Sequence, residues 1–158
     1  MLFLQNDKKL AFSYDVGIFN PVFQGYNDNS VGNEYAPLLV GRIALHIGDP
    51  EFEQYTFGHK VNYFGKRKGL TLALAGATQG KTDLFTKNQA FGFDLLFNWG
   101  ALNIDGEWTY LKRNKDTNIR AISISSNTGY LRLGYNFPLK NSFILEPVIM
   151  LVQFNGPL

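Results

Sequence analysis

Apolar and polar residues alternate along most of this chain. In residues 90–111, AFGFDLLFNWGALNIDGEWTYL, a large apolar side chain occupies nearly every second position on both sides of a short turn near Gly100. A period of two is the signature of a β-strand with one apolar and one polar face. This stretch therefore predicts a β-hairpin that carries large rings on one face and carboxylates and amides on the other.

The same alternation recurs along the rest of the chain, and nothing longer than a turn has helical periodicity. The further predicted strands cover 9–19, 36–48, 55–64, 70–79, 121–137 and 143–154. The segments 55–64 and 70–79 predict a second hairpin around the turn GKRKG, whose cations we expect to be solvated. The fold class is therefore all-β, an antiparallel up-and-down arrangement of about eight strands.

The predicted connections differ in length. Those at 65–69, 99–101 and 138–142 are tight, whereas those at 80–88 and 112–120 are longer and polar. Up-and-down barrels of the outer membrane place short turns at one rim and long loops at the other. The segment 20–35 breaks this pattern, which leaves either a missed irregular strand or an unusually long turn.

The size of the side chains indicates which face meets water. A soluble lipocalin-like barrel also alternates, but it turns its apolar face inward. Here the large rings suit lipid, and small residues interleaved with charges suit a water-filled lumen, so a transmembrane β-barrel is predicted. The residues predicted to face lipid or form an interfacial girdle are Phe91, Phe93, Phe97, Trp99, Trp108, Tyr110, Tyr135 and Phe137. The residues predicted to line the pore are Asp15, Arg42, His46, Asp94, Asp105, Glu107, Arg132 and Glu146.

Composition narrows the class of protein. The 158 residues suffice for a single domain over 1–158, with 15% aromatic residues and a net charge of +2 that does not favour nucleic acid as a partner. There is no cysteine, which excludes disulfides and thiolate metal sites. No apolar run reaches the roughly 18 residues of a membrane helix. Without a nucleophile motif, no enzyme activity, metal or cofactor is expected.

Five segments resemble, in the same order, segments of the phosphate-selective porin O and P family, most closely its Bacteroidetes-type members. They are YDVGIFN, YFGKRKGLTLALAG, FGFDLLFNWGALNIDGEWTYLKR, GYLRLGYNF and LEPVIMLVQF, spread over most of residues 10–154. The resemblance implies a 16-stranded barrel, usually a homotrimer, in the outer membrane of a Gram-negative bacterium. It also implies passage of small anionic solutes. The family barrel is more than twice this long, so this chain would be a part of one.

The carboxylates of the hairpin need cations. A two-residue turn places Asp94 opposite Glu107, and a four-residue turn places Asp94 opposite Asp105. Like charges directly opposed are destabilising. We therefore expect Asp94 or Glu107 to lie within salt-bridge distance of a cation on the same face, with Arg42 and Arg132 as the candidates. Such ion pairs are consistent either with a set of charged residues that screens solutes in the pore or with a salt-bridge network that stiffens the barrel.

The last predicted strand places an apolar patch on the polar face. Glu146 is expected there beside Val148, Met150 and Val152, although a basic residue is expected of the family at Met150. The patch fits a plug, an inward-folded loop, a partner protein or a shifted register.

The primary functional hypothesis is a porin-like channel whose partners are outer-membrane lipid and small solutes. An occluded barrel that anchors an envelope protein complex is the alternative, and a soluble lipocalin-like carrier is a lesser one. A closed eight-stranded barrel remains possible and requires strand 9–19 to pair with strand 143–154.

Overall fold

The computed structural model describes residues 2–6, 10–20, 36–51, 64–65, 67–82, 85–116 and 121–157. Within these ranges the chain forms ten strands and one short 3-10 turn at Lys140–Ser142. The strands are β1 (Leu2–Asn6), β2 (Leu10–Phe19), β3 (Leu38–Gly48), β4 (Gly69–Gln79), β5 (Lys87–Trp99), β6 (Leu102–Asp116), β7 (Ala121–Tyr135), β8 (Phe137–Pro138), β9 (Ile144–Leu145) and β10 (Val148–Asn155). Of the described helical segments, none has the length and apolar character needed to cross a membrane.

Eight strands form one antiparallel sheet in the order β1-β2-β3-β4-β5-β6-β7-β10, and β8 pairs with β9 in a separate two-stranded ladder. From β1 to β7, each strand of the large sheet lies beside the strand that precedes it in the sequence, and β10 follows β7 after the β8–β9 ladder. The topology is therefore up-and-down. The predicted all-β antiparallel class is confirmed. In the described residues β1 and β10 are edge strands that do not pair with each other, and the closed eight-stranded pairing of 9–19 with 143–154 is not observed.

The register gives the sheet two chemically distinct faces. Asp15 lies opposite Arg42, Asp94 opposite Glu107, and Asp105 opposite Arg132. Since residues two apart in a strand share a face, these charged residues share one face, which we call the polar face. We call the other the apolar face. Its members include the predicted rings Phe91, Phe93, Phe97, Trp99, Trp108, Tyr110 and Tyr135.

Burial on the two faces is the reverse of that in a soluble sheet. On the polar face Ala44 and His46 are 1% exposed and Thr71 is 0% exposed. On the apolar face Val16 is 77% exposed and Leu74 is 55% exposed. Large apolar residues are normally the first to be buried in a soluble domain, whereas in the described part of this sheet they are the more exposed ones.

The predicted hairpin of 55–64 with 70–79 is wrong. Both edges of β4 are occupied, one by β3 and the other by β5. Residues 52–63 lie outside the described part. The β3–β4 ladder continues past its last register pair, because the Asp49 amide donates to the Lys68 carbonyl at 2.9 Å. The connection 49–68 thus begins and ends at the same point of the sheet.

This pairing also overturns the predicted division into a short-turn rim and a long-loop rim. The connections 20–37, 80–86 and 117–120 lie at one rim, and 49–68, 100–101 and 136–147 lie at the other. Each rim therefore has both short and long connections. The predicted loop 112–120 shrinks to 117–120 because β6 continues to Asp116. Strand β1 was not predicted, since five residues are too few to establish a period.

The tight turn predicted at 138–142 is confirmed, but it joins the short strands β8 and β9 and does not join β7 directly to β10. Strand β7 ends at Tyr135, and residues 136–147 form an excursion that contains β8 and β9. Pro147 accepts a hydrogen bond from the Tyr135 amide at 3.2 Å, and β10 begins at the next residue. Because proline has no amide to donate, it marks the entry into the strand.

Candidate functional site: the polar face

Arg42 and Asp94 form the central ion pair of the polar face. Arg42 Nη2 lies 2.6 Å from Asp94 Oδ1, and Arg42 Nε donates to Asp94 Oδ2 at 3.1 Å. The two residues belong to β3 and β5, so the arginine side chain crosses β4. It can do so because Ala73 and Ala75 are the β4 residues that pair with Asp94 and Arg42. A bidentate guanidinium–carboxylate pair is geometrically specific and fixes both side chains.

Glu51 adds a second carboxylate to this arginine. Its Oε2 atom lies 3.5 Å from Arg42 Nη2. Glu51 belongs to the connection after β3, so the first residues of that connection fold back over the polar face. Asp15, which lies opposite Arg42 in the register, makes no ion pair within the described part of the chain.

A second ion pair joins β6 and β7. Arg132 Nε donates to Asp105 Oδ1 at 2.7 Å, and the two residues are direct cross-strand partners. Glu107, two residues from Asp105, accepts a hydrogen bond from the Thr109 hydroxyl at 3.1 Å. The two arginines of this region are thus held by Asp94, Glu51 and Asp105.

The hairpin adopts the two-residue turn at Gly100 and Ala101, so Asp94 lies opposite Glu107 and the alternative pairing with Asp105 is wrong. The expectation that Asp94 or Glu107 contacts an arginine of the same face is confirmed for Asp94. Arg42 supplies the contact, and Arg132 binds Asp105 instead.

His46 lies at the centre of a series of buried polar side chains that are hydrogen-bonded to one another, which we call the polar chain. Its Nε2 atom lies 2.9 Å from Ser13 Oγ on β2, and its Nδ1 atom lies 2.9 Å from Thr71 Oγ1 on β4. Arg67 Nη2 donates to the same Thr71 hydroxyl at 2.7 Å. All four side chains are almost fully buried. Buried polar groups of this kind are stable only when they are hydrogen-bonded to one another.

Arg67 continues this chain towards β6. Its guanidinium donates to Asn98 Oδ1 and to the carbonyls of Asp49 and Gly69. Asn98 Nδ2 donates to Asn103 Oδ1 at 3.0 Å, and Asn103 Nδ2 donates to Glu146 Oε1 at 2.9 Å. The polar chain therefore crosses from β2 to the segment before β10. The expectation that Arg67 is a solvated turn cation is wrong, since Arg67 is 2% exposed.

Of the side chains in this hydrogen-bonded series, only His46 and Glu146 are predicted from the sequence as site residues. The missed members are Ser13, Arg67, Thr71, Asn98 and Asn103. The alternation alone places Ser13, Thr71, Asn98 and Asn103 on the polar face. A polar side chain at every second position was therefore the sequence signal that could have identified these four residues. Nothing local distinguishes Arg67 from Lys66 or Lys68 in the GKRKG turn.

Glu146 and the apolar patch lie where predicted. Met150 pairs with Arg132 in the register, which places Val148, Met150 and Val152 on the polar face. A shift of register is thereby excluded. A Cβ atom on Gly134 would lie 2.9 Å from Glu146 Oε1, so the glycine provides the room that Glu146 occupies.

The predicted girdle residues stack on one another. The rings of Phe93 and Trp108 lie 5.7 Å apart, and those of Trp108 and Tyr110 lie 6.4 Å apart. Phe137, which follows the end of β7, lies with its ring 4.7 Å from that of Tyr135. These contacts cover part of each ring, yet Trp99, Phe91 and Phe137 remain about half exposed or more.

In the described part of the polar face, Arg42 and Arg132 are in ion pairs, whereas Asp15 and Glu107 are in none. Among the described side chains, no three His, Asp or Glu residues come together as a metal-binding group. No family model matches this chain, and neither a curated protein nor a solved structure matches it.

Proposed function

We propose that this chain is part of an outer-membrane β-barrel that acts as a porin-like channel for small solutes. The observation that carries the proposal is the reversed burial of the sheet, with large apolar residues exposed and small or polar residues buried. A transmembrane barrel has this arrangement, because its outer face meets lipid and its inner face meets water and polar side chains.

The dimensions of the apolar face support this proposal. On β5 the apolar row runs from Phe91 to Trp99 and takes up most of the strand. Because the strands of a membrane barrel are tilted, each needs about 9–11 residues to cross the apolar band. Lys87 and Lys112 lie just beyond this row, where a lysine reaches the membrane–water interface. The band and its cationic border therefore match a bilayer.

The two open edges support a larger barrel than eight strands. An unpaired edge strand exposes amides and carbonyls that lipid cannot satisfy. Strand β10 has exposed apolar residues on both faces, including Ile149 and Val152. We propose that further strands pair with β1 and β10, in accordance with the 16-stranded barrel that the sequence resemblance implies.

The class of solute is inferred from the ion pairs that the two arginines of the polar face make. The resemblance implies anionic solutes, but Arg42 and Arg132 are both held by carboxylates. Asp15 and Glu107 are exposed on the same face without a paired cation in the described part. We therefore propose passive passage of small hydrophilic solutes. No chemical step is proposed.

Single-channel recording tests the channel. The full-length protein in planar bilayers should produce stepwise conductance in potassium chloride, and the reversal potential in a salt gradient reports the ratio of cation to anion permeability. The double variant Asp15→Asn with Glu107→Gln should shift this ratio towards anions. A protein that inserts but never conducts would contradict the channel.

A scaffold with an occluded lumen is the second candidate function. Two observations favour it: the buried polar chain around His46 fills part of the polar face, and Val148, Met150 and Val152 form an apolar patch on that face. Both fit an interior that is filled by polypeptide. Such a barrel would insert into bilayers and remain silent in the same recordings, so a single experiment separates the two.

A further inference from the structure

A groove crosses the apolar face between β5 and β10. Gly106 and Gly129 carry no side chains and leave a depression of about 300 Å³ there. Its walls are Phe93, Trp108 and Leu151, together with Leu95 and Leu131. A Cβ atom at either glycine would lie 3.0 Å or less from a backbone carbonyl oxygen, so larger residues cannot fill the depression without strain.

The groove leads towards a polar cavity at one end of the same face. This second cavity measures about 620 Å³ and lies where β10 ends beside β7. From the apolar face it is lined by Tyr110, Ser123, Ser125, Asn127 and Asn155, and at the edge of β7 also by Ile122, Ile124 and Ser126. The cross-strand pair Trp108 and Gly129 borders the groove, and the next pair along, Tyr110 and Asn127, borders the polar cavity. The two cavities are therefore consecutive along β6 and β7.

A positive charge stands beside the polar cavity. Lys112 is the register partner of Ser125 and is exposed on the apolar face. Lys87, also exposed, lies on the adjacent strand, where its partner is Asn114. Lys112 lies four residues, about 13 Å, beyond Trp108 along β6.

We propose that this groove and cavity bind one anionic phospholipid. The acyl chain lies against Gly106, Gly129 and Trp108, and the phosphate lies in the polar cavity beside Lys112. The proposal rests on the proposed function, since it requires the apolar face to meet a bilayer. A binding site that joins a mostly apolar groove to a few convergent polar groups is typical for a small amphiphile. Basic residues at such a position select anionic head groups.

Charge complementarity favours this occupant over a second copy of the chain. If the apolar face of a second copy packed on the groove, Lys87 and Lys112 would lie against apolar side chains. No described carboxylate of that face would lie opposite the two lysines. An anionic head group instead pairs with both lysines while its chain fills the apolar depression. A basic residue near a membrane surface contributes about 1 kcal/mol, which is roughly fivefold in affinity.

Fluorescence quenching of tryptophan tests this site. The full-length protein carrying Trp99→Phe, which removes the exposed tryptophan outside the groove, is reconstituted in vesicles that contain dibrominated phosphatidylglycerol or dibrominated phosphatidylcholine. The bromine atoms then quench Trp108 in proportion to occupancy of the groove. We expect tighter binding of phosphatidylglycerol, by roughly fivefold to twenty-five-fold for one or two contributing lysines. The double variant Lys87→Gln with Lys112→Gln should bind both lipids equally.

The matched control is Lys115→Gln. Lys115 is also exposed and also on β6, but the register places it on the opposite face from Lys112. It should leave the preference for phosphatidylglycerol unchanged. Equal binding of both lipids by the protein that carries Trp99→Phe alone, or equal loss in the control variant, would overturn the site. A chemically cross-linked second copy across the groove, with no quenching, would replace the lipid by a self-contact.

The same samples separate this proposal from the proposed function. A protein that enters the vesicles but shows no preference between the two lipids contradicts the lipid site alone. A protein that fails to enter any vesicle, so that neither lipid quenches Trp108, contradicts both.

Discussion

At the scale of single residues, the polar face depends on small side chains that let long ones cross strands. Arg42 reaches Asp94 over β4 because that strand presents Ala73 and Ala75 to the same face. Adjacent strands lie about 4.8 Å apart, so a guanidinium spans two strand intervals only when nothing bulky stands between. The ion pair is therefore determined jointly by three strands.

Replacing Arg42 by methionine should destabilise the protein by about 1–2 kcal/mol, because Asp94 loses two charge-assisted hydrogen bonds at a partly exposed site. A double-mutant cycle with Asp94→Asn should give a coupling energy of about 1 kcal/mol in urea unfolding of the reconstituted protein. Glu107→Gln is the control and should be nearly neutral, since Glu107 has no cation partner in the described part. Additive single effects would contradict a direct pair.

Thr71 joins His46 and Arg67, and its hydroxyl is fully buried. The variant Thr71→Val keeps the shape of the side chain but leaves both partners one hydrogen bond short. We expect a loss of about 1–3 kcal/mol in the free energy of unfolding. Thr78→Val on the same strand is the control, because Thr78 is exposed on the apolar face. Equal changes in the two variants would show that the polar chain does not contribute to stability.

At the scale of elements, the β5–β6 hairpin is the best-specified unit of the chain. Its alternation predicted both strands and both faces. The structure selects the two-residue form of the predicted turn. In it Gly100 has a φ of 57°, and a Cβ atom there would meet nothing within 4 Å. Because there is room for a Cβ atom, the preference for glycine at position 100 comes from the backbone conformation alone. Positive φ values are costly for residues with a side chain.

Gly100→Ala should therefore destabilise the hairpin by about 1 kcal/mol. Gly100→Asn should cost less, because asparagine tolerates the left-handed region better than other residues do. Thermal unfolding of both variants beside the unaltered protein measures the difference. If alanine and asparagine behave alike, the positive φ is not what constrains this turn.

Strand pairing at longer range was less predictable than the strands themselves. The alternation predicts that 70–79 pairs with 55–64, because a basic turn joins them and short connections usually make hairpins. In the structure β4 pairs with β3 across a connection of residues 49–68. Alternation specifies the faces of a strand but not its neighbour, and the Leu-rich face of β4 matches that of β3 equally well.

At the scale of the whole molecule, the sheet has one polar and one apolar face. The polar face buries small and hydrogen-bonded side chains, and the apolar face exposes large ones. Both tryptophans lie on the apolar face. Trp99 lies at one end of the apolar row of β5, whereas Trp108 lies on β6 opposite Phe93. The lysines Lys87 and Lys112 follow the other end of the apolar band.

A lysine within the apolar band should oppose membrane insertion. Phe93→Lys places a charge inside the row from Phe91 to Trp99, and it should cost up to about 2–4 kcal/mol of folding free energy in a bilayer. Thr109→Lys is the control, because Thr109 lies on the polar face beside Glu107. Urea titration of the protein folded into lipid vesicles measures both. A smaller loss for Phe93→Lys than for Thr109→Lys would reverse the assignment of the faces.

The sequence by itself determined the strand periodicity, the two faces of the sheet and the need of Asp94 for a cation, because each of these depends on neighbours two residues apart or on a hairpin partner. Only the tertiary structure decided that Arg42 is that cation, that Arg67 is buried beside Thr71 and Asn98, and that β3 adjoins β4. These contacts join residues on different strands or connections, and a repeating pattern shared by every strand does not specify which strands meet.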